Sequence, residues 1–529
     1  MRSAFFYVCF AVFGFVGLIS IIFPQALFSL IILVPIALMG LKDAFQKKQT
    51  IRRNFPILGR FRYLLEMIRP EIQQYFIEHD TAGTPIPRTL RSLVYQRAKR
   101  QIETVPFGTQ ENVYSSNYEW INHTMKPTIV DESGLRVLVG GDECTQKYSC
   151  SLLNISAMSY GSLSKNAIEA LNGGAKIGDF YHNTGEGSIS PYHLNRGGDL
   201  VWQIGTGYFG CRDEDGNFDL EKFKVNANRP EVKMIEIKIS QGAKPGHGGI
   251  LPKEKVTKEI SEIRHVPMGV DVISPGGHSA FNSPRELLEF IKKLREASGG
   301  KPVGFKLCMG YPEEFVSVCK AMVTTQIFPD FITVDGSEGG TGASPLEFTN
   351  SVGTPLEDGL VFVHNTLRGF GIRQKLKIIA SGKVLTAFNM LNRLALGADI
   401  INSARGFMLA IGCIQALRCH ENVCPTGVAT TNPKFYEGLD VNLKEVRTAN
   451  FHAKTLHTFK ELLQIVGVER PSQLRRHHIQ RRIRGVGATN LEEIYPYLGE
   501  GTLLEEPYPI SYQKIMDKVD IDHFADVHW

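Results

Sequence analysis

The sequence predicts an α/β fold: a TIM (β/α)8 barrel preceded by an N-terminal transmembrane hairpin and a basic helical extension. Three observations predict it. From about residue 150, short apolar runs bounded by Gly, Ser or Asn alternate with helical stretches, the pattern of parallel βαβ units. The chemically unusual residues fall just after those runs, where such barrels carry their active sites. Residues 4–41 are almost wholly apolar and run straight into Lys42, Lys47, Lys48, Arg52 and Arg53. The expected domains are a transmembrane segment over 1–41, a basic extension over 42–130, the barrel over 131–450 and a helical extension over 451–529.

The apolar start divides at Pro24-Gln25 into residues 4–23 and 26–41. The first is long enough to cross a bilayer core and the second is marginal. The stretch lacks the cleavage pattern of a secretory signal. Its cationic flank places residues 42–529 on the cytoplasmic side by the positive-inside bias. One kinked span, or a buried helix pair, are the competing readings. Residues 42–100 hold 13 Lys and Arg against 5 Asp and Glu. Residues 51–130 interleave basic with aromatic residues and suit anionic headgroups or a solvated helix face equally. Glycosylation sequons at Asn122 and Asn154 carry no meaning on that side of the membrane.

In bulk, 529 residues with 43% hydrophobic content and 51 Gly make a globular composition with ample core. A net charge of +5 gives little support to a polyanionic partner, and no nucleic acid is expected. The basic run Arg475–Arg482 reads as a solvated face. Nine cysteines in so long a chain are not a disulfide framework.

The barrel candidates are residues 152–157, 180–183, 200–204, 234–239, 270–273, 303–307, 331–334, 376–380 and 399–402. A barrel needs eight strands, so one of these nine is an edge piece or an error. Gly205-Thr-Gly207-Tyr-Phe-Gly210 imitates a dinucleotide fingerprint. The turn-like Cys211–Gly216 comes after it instead of the required helix, so the Rossmann reading fails.

Late Gly-rich loops, Gly382-Lys383 and Ala404-Arg405-Gly406, can hold a flavin phosphate on backbone N–H groups, although such loops are often plain turns. Lys238, Gln241 and Lys244 stand three apart around a strand end. Two ammonium groups and an amide there suit an anionic substrate and an electron-rich ring. Cys413, Cys419 and Cys424 crowd one loop that Pro425 keeps from becoming helix. Their spacing suits an iron–sulfur cluster; zinc with His420, or three unrelated thiols, remain open.

Ala157–Ser162, Asn183–Gly187, Lys238–Gly249, Gly339–Pro345 and Cys413–Thr430, in that order, resemble the FMN-binding synthase domain of glutamate synthases. The nearer likeness is to short, stand-alone, membrane-anchored members. The resemblance implies a barrel with FMN and a [3Fe-4S] cluster on Cys413, Cys419 and Cys424. It implies reductive amination of 2-oxoglutarate, or a similar 2-oxo acid, with ammonia to L-glutamate. The implied substrate-binding residues are Lys238, Gln241 and Arg264. Glu186 would stand near the reacting carbon and Lys244 beside the ring, so Glu186, Lys244 and Lys238 are the implied catalytic groups. Met158, Ser159, Lys244, Gly340, Gly382, Lys383, Arg405 and Gly406 are the expected cofactor contacts. Ferredoxin or a pyridine-nucleotide-dependent reductase would supply electrons, and a homo-oligomer is possible.

The chain departs from the family in four places. No stretch resembles the glutaminase domain or the glycine-repeat β-helix. Ser274-Pro-Gly-Gly-His278 replaces a proline-rich His pair, and Ala380-Ser-Gly-Lys383 replaces an Asp-Gly-Gly loop. These departures leave two rival functions: an FMN oxidoreductase that oxidises an amino or hydroxy acid and feeds the membrane, and a non-catalytic redox subunit.

Overall fold

The computed structural model describes residues 2–524, which form two compact units, one up to Pro87 and one from Arg88. In the first, α1 (Arg2–Ile22) and α2 (Leu30–Phe45) are joined by a 3-10 turn, Pro24–Ser29. Proline has no N–H to continue α1, so the break falls at Pro24 as the sequence predicts. The second helix outruns the expected 26–41 stretch and ends beyond Lys42 and Asp43. At 1.5 Å per residue, the 21 residues of α1 reach about 31 Å, the thickness of a bilayer core. None of them is buried. Length and composition let both helices cross a membrane.

Asp43 is fully buried and organises the basic segment. Its carboxylate accepts from Arg52 Nη2 at 2.6 Å, from Arg60 Nε at 2.6 Å and from the Ile57 N–H at 3.3 Å. That carboxylate ties together two short helices, Thr50–Asn54 and Gly59–Met67, and Arg69–Ile72 follows, so the segment is helical in short pieces.

The second unit contains a closed barrel of eight parallel strands in chain order: β1 (Leu153–Ile155), β2 (His182–Asn183), β3 (Leu200–Ile204), β4 (Val232–Lys238), β5 (Val303–Leu307), β6 (Phe331–Asp335), β7 (Lys377–Ser381) and β8 (Ile400–Ser403). The ring closes where β8 pairs with β1, Ile401 opposite Leu153. Eight of the nine expected runs are these strands. The ninth, 270–273, supplies Val272–Ile273, which pairs antiparallel with Ile250–Leu251 as a ribbon outside the barrel. The sequon residue Asn154 is buried within β1.

A hairpin of Arg136–Val139 and Tyr148–Ser151 precedes β1. Its Val139, Tyr148 and Cys150 pack on Val201, Met234, Phe331, Ile379 and Ile400, near the strand N-termini. They seal the barrel floor and leave the C-terminal rim for chemistry. Inward side chains of β4 change character as they climb, because strand side chains alternate faces. Met234 joins the floor, Glu236 accepts from Asn183, Gln203 and Thr333 at mid-height, and Lys238 reaches the mouth.

The Lys165–Gly178 helix is capped by the Ser164 side chain and lies against the long Val441–Val466 helix. Gly174 permits the approach: a Cβ there would stand 2.8 Å from the Glu445 carbonyl and closer still to Thr448. The C-terminal region is not wholly helical. Ile479–Ile483 and Gly487–Asn490 form a sheet with Glu119–Ile121. The basic run expected to be solvated is structural. Arg476 is fully buried, 4.1 Å over the Tyr497 ring, and Arg481 is ion-paired to Glu119 and Glu357.

Candidate active site

At the mouth, Lys238 Nζ lies 2.7 Å from Glu186 Oε1. Glu186 comes from the loop after β2, and two glycines make room for it. A Cβ on Gly205 would stand 2.7 Å from its Oε2, and one on Gly249 would stand 2.7 Å from its Cδ. Burial pushes the Glu186 carboxyl up, yet Lys238, with Arg264 and Lys244 behind it, holds it below the ordinary range. Oε1 is thus engaged, while Oε2 has no hydrogen-bond partner among the described residues.

Arg264 is the last residue of the Lys258–Arg264 helix, which Thr257 caps. It is 4% exposed, lies 5.2 Å over the Phe209 ring and donates from Nη2 to the Tyr160 carbonyl at 2.8 Å. Burial lowers it to about 10, and Glu186 opposes that shift. Lys244 Nζ donates to the Ala343 carbonyl at 2.9 Å, stitching the loops after β4 and β6. Burial brings it down to about 8, again opposed by Glu186. Met158 and Ser159 are buried in the loop after β1. Ser159 Oγ bonds Ser162 Oγ at 3.0 Å and faces Arg264 Nη2 at 3.5 Å.

A second pocket opens beside this well, lined by Gln241, Gly340, Gly382, Lys383 and Arg405 among others. Burial lowers both Lys383 and Arg405. Arg405 Nη2 donates to the Glu338 carbonyl at 2.6 Å. Neither cation has a salt-bridge partner among the described residues, so the pocket offers two positive charges to an anion. Gly406 does not line it; a Cβ there would meet Ser403 Oγ and the Phe451 ring.

Sequence reasoning missed three groups here. Lys306 and Asp335 form a buried pair at 3.0 Å on the pocket floor. A lysine inside the apolar run 303–307 was the available signal. His278, in the segment that departs from the family pattern, donates from Nε2 to the Lys238 carbonyl at 2.9 Å. That carbonyl can only accept, so Nδ1 accepts from the Tyr208 hydroxyl at 3.0 Å. Burial lowers His278 to about 4. The third, Lys255, lies between the well and the cysteine loop.

Cys413, Cys419 and Cys424 lie within electrostatic reach of one another. Burial pushes the Cys413 thiol up to about 12 and raises Cys419. Cys424 differs: burial also pushes it up, but N–H groups of Ala429, Thr426 and Val428 and the Thr426 hydroxyl bring it below the usual thiol range. Among the described residues, no three His, Cys, Asp or Glu side chains are gathered as ligands of a single ion. His420, the zinc candidate, is exposed beside Glu421. A lone zinc at Zn–S of about 2.3 Å needs its sulfurs nearly touching. A multi-iron cluster seats its thiolates on different irons, and Cys413, Cys419 and Cys424 on one loop supply a donor set of that kind.

A parallel barrel gathers three cations around one carboxylate at its rim, next to a cationic glycine pocket. Comparison with known proteins sharpens the class to a glutamate-synthase-type oxidoreductase. The family model for the conserved region in glutamate synthase matches residues 127–469. The chain is 37% identical over 508 residues to the glutamate synthase large subunit-like protein YerD of Bacillus subtilis, covering 88% of this chain and 96% of that one. It is 36% identical over 339 residues to the archaeal glutamate synthase [NADPH] of Methanocaldococcus jannaschii, covering 64% of this chain and 63% of that one. An archaeal-type glutamate synthase [NADPH] of Thermotoga maritima is 34% identical over the same shares. The chain thus spans just under two thirds of these last two relatives. It belongs to the glutamate synthase family.

Proposed function

We propose that the chain is a membrane-anchored, cytoplasmically facing flavoprotein that aminates 2-oxoglutarate, or a similar 2-oxo acid, with ammonia. The observation that carries this is the Glu186–Lys238 pair enclosed by Arg264 and Lys244. Arg264 and Lys238 hold the substrate's carboxylates, with Gln241 at the rim beside them; Arg264 can do so in bidentate fashion. When those cations turn to substrate, burial is what remains to act on Glu186, and its basicity rises. Its free Oε2 then holds the ammonia nitrogen and takes a proton from it as the nitrogen bonds the 2-oxo carbon, the carbonyl oxygen leaving as water to give the imine that is reduced. Lys244 balances negative charge developing at the reacting centre.

The cofactor assignment is FMN, with its phosphate toward Lys383, Arg405, Gly382 and Gly340 and its ring toward Met158, Ser159 and Lys244. When bound, FMN supplies the hydride. A [3Fe-4S] cluster on Cys413, Cys419 and Cys424 supplies electron entry from ferredoxin or a pyridine-nucleotide-dependent reductase. The two apolar helices anchor the protein. Purified protein given an artificial electron donor, ammonia and 2-oxoglutarate should make glutamate, and Lys238→Ala should abolish it. Absence of turnover with any 2-oxo acid would overturn the assignment.

A further inference from the structure

Lys255 closes a short 3-10 turn (Lys253–Lys255) just before the helix that delivers Arg264, and its side chain is 2% exposed. Its ammonium donates to two backbone carbonyls, Ser162 and Ala429, each at 3.1 Å. Ser162 belongs to the loop after β1, whose Ser159 faces Arg264. Ala429 belongs to the stretch just after Cys424, and Asn422 of that same loop donates to the Glu254 carbonyl at 2.8 Å. One buried cation therefore touches both the substrate shelf and the cysteine loop. No carboxylate lies within ion-pairing distance of Lys255 among the described residues. An ammonium buried without a counter-charge is costly, because carbonyl dipoles replace only part of its hydration. Once ionised, Cys419 and Cys424 are the groups whose charge would balance it, and the loop that holds them supplies one of its two acceptors, the Ala429 carbonyl.

We propose that Lys255 is the counter-ion of the cysteine loop: a fixed positive charge that balances iron-bound thiolates and holds up the reduction potential of the centre they carry. The role rests on the reading of Cys413, Cys419 and Cys424 as cluster ligands. Neutral thiols would leave the lysine unbalanced; thiolates on iron leave the loop negative and make its burial sensible. Reduction adds one more negative charge in a medium of low dielectric. A nearby cation stabilises the reduced state more than the oxidised one, so removing it moves the potential negative. The tie to Ser162 fixes that charge in register with the shelf, which makes Lys255 a positioning residue and not a catalytic one.

The test is a redox titration of the purified full chain monitored by EPR, after iron and labile sulfide have been counted. Lys255→Met keeps the stem and drops the charge. Its cluster should titrate at a more negative potential, with the reduced-to-oxidised ratio down about tenfold at the wild-type midpoint, about 59 mV for one electron. Lys255→Arg should return the midpoint toward wild type. Iron lost from Lys255→Met but kept by Lys255→Arg would show the same charge dependence as occupancy. An iron-loaded Lys255→Met with the wild-type midpoint overturns the role, as does equal iron loss from both variants. Wild-type protein that binds no iron removes the ligand assignment itself, a failure distinct from an unshifted midpoint.

Discussion

Gly249→Ala tests whether the position of the Glu186 carboxylate matters, without deleting a charge. Gly249 is fixed by its neighbours: its carbonyl accepts from the Ser274 N–H at 2.9 Å, and Ile250 pairs with Ile273 in the ribbon. The new Cβ would stand 2.7 Å from Glu186 Cδ, where carbon atoms prefer about 3.5 Å or more. The side chain is freer to move than the backbone, so the carboxylate shifts by roughly 1 Å. At an effective dielectric of about 20, stretching the ion pair from 2.7 Å by that amount reduces its attraction from about 6 to about 4.5 kcal/mol. The expected stability loss is therefore about 1.5 kcal/mol. Misplacement of a reacting group by about 1 Å costs on the order of 100-fold in rate, so kcat/KM for ammonia-dependent glutamate formation should fall on that scale. The assay is a double-mutant cycle in which urea midpoints and kcat/KM are read for Gly249→Ala, Glu186→Ala and the pair. In the Glu186→Ala background the three nearest atoms the extra methyl would meet are gone, so it should change less. Strictly additive effects, or Gly249→Ala activity within about threefold of wild type, would refute the reasoning.

Other consequences can be checked separately. Lys383→Met should weaken flavin retention at least about tenfold, as loss of one phosphate contact of about 1.4 kcal/mol implies, seen as loss of yellow colour on gel filtration with far-UV circular dichroism unchanged; full flavin content would remove Lys383 from the phosphate contacts. His278 lies buried and neutral, its pKa lowered from 6.5 to about 4. The unfolded chain binds its proton first as pH falls, so this share of stability is whole above about 6.5 and lost on descending to about 4. At about 1.4 kcal/mol per unit it amounts to roughly 3 kcal/mol. Urea unfolding at about pH 4.5 and pH 7 should show the loss, and a smaller difference in His278→Phe; equal pH dependence in both proteins would contradict it. Gly174→Ala should destabilise the second unit by about 1–3 kcal/mol through overpacking against Thr448 and the Glu445 carbonyl. An unchanged thermal midpoint would show that the two helices part easily.

Much of the barrel could be read from the chain because period and punctuation are local signals. Runs such as 303–307 and 331–334 announce themselves by apolar content and a polar stop. The run 270–273 used the same residue types, but Val270 is exposed ahead of a ribbon and Ile273 is exposed within it, and four residues cannot say which. Lys238 and Lys244, which both act on Glu186, drew notice because a strand end holds them close in sequence, while Gln241 between them lines the neighbouring pocket. Arg476 and Arg481 were misread for the opposite reason. Their partners, Tyr497, Glu119 and Glu357, stand far along the chain, so a run of charges resembled a wetted face. Lys255 was invisible on the same ground, since its carbonyl acceptors are Ser162 and Ala429.

The hairpin under the barrel has a kinetic meaning. With Val139, Tyr148 and Cys150 packed against the lower end, a ligand approaches from the opposite, C-terminal rim. Of two ligands stacked at such a rim, the deeper one enters first and leaves last, because the upper one covers it.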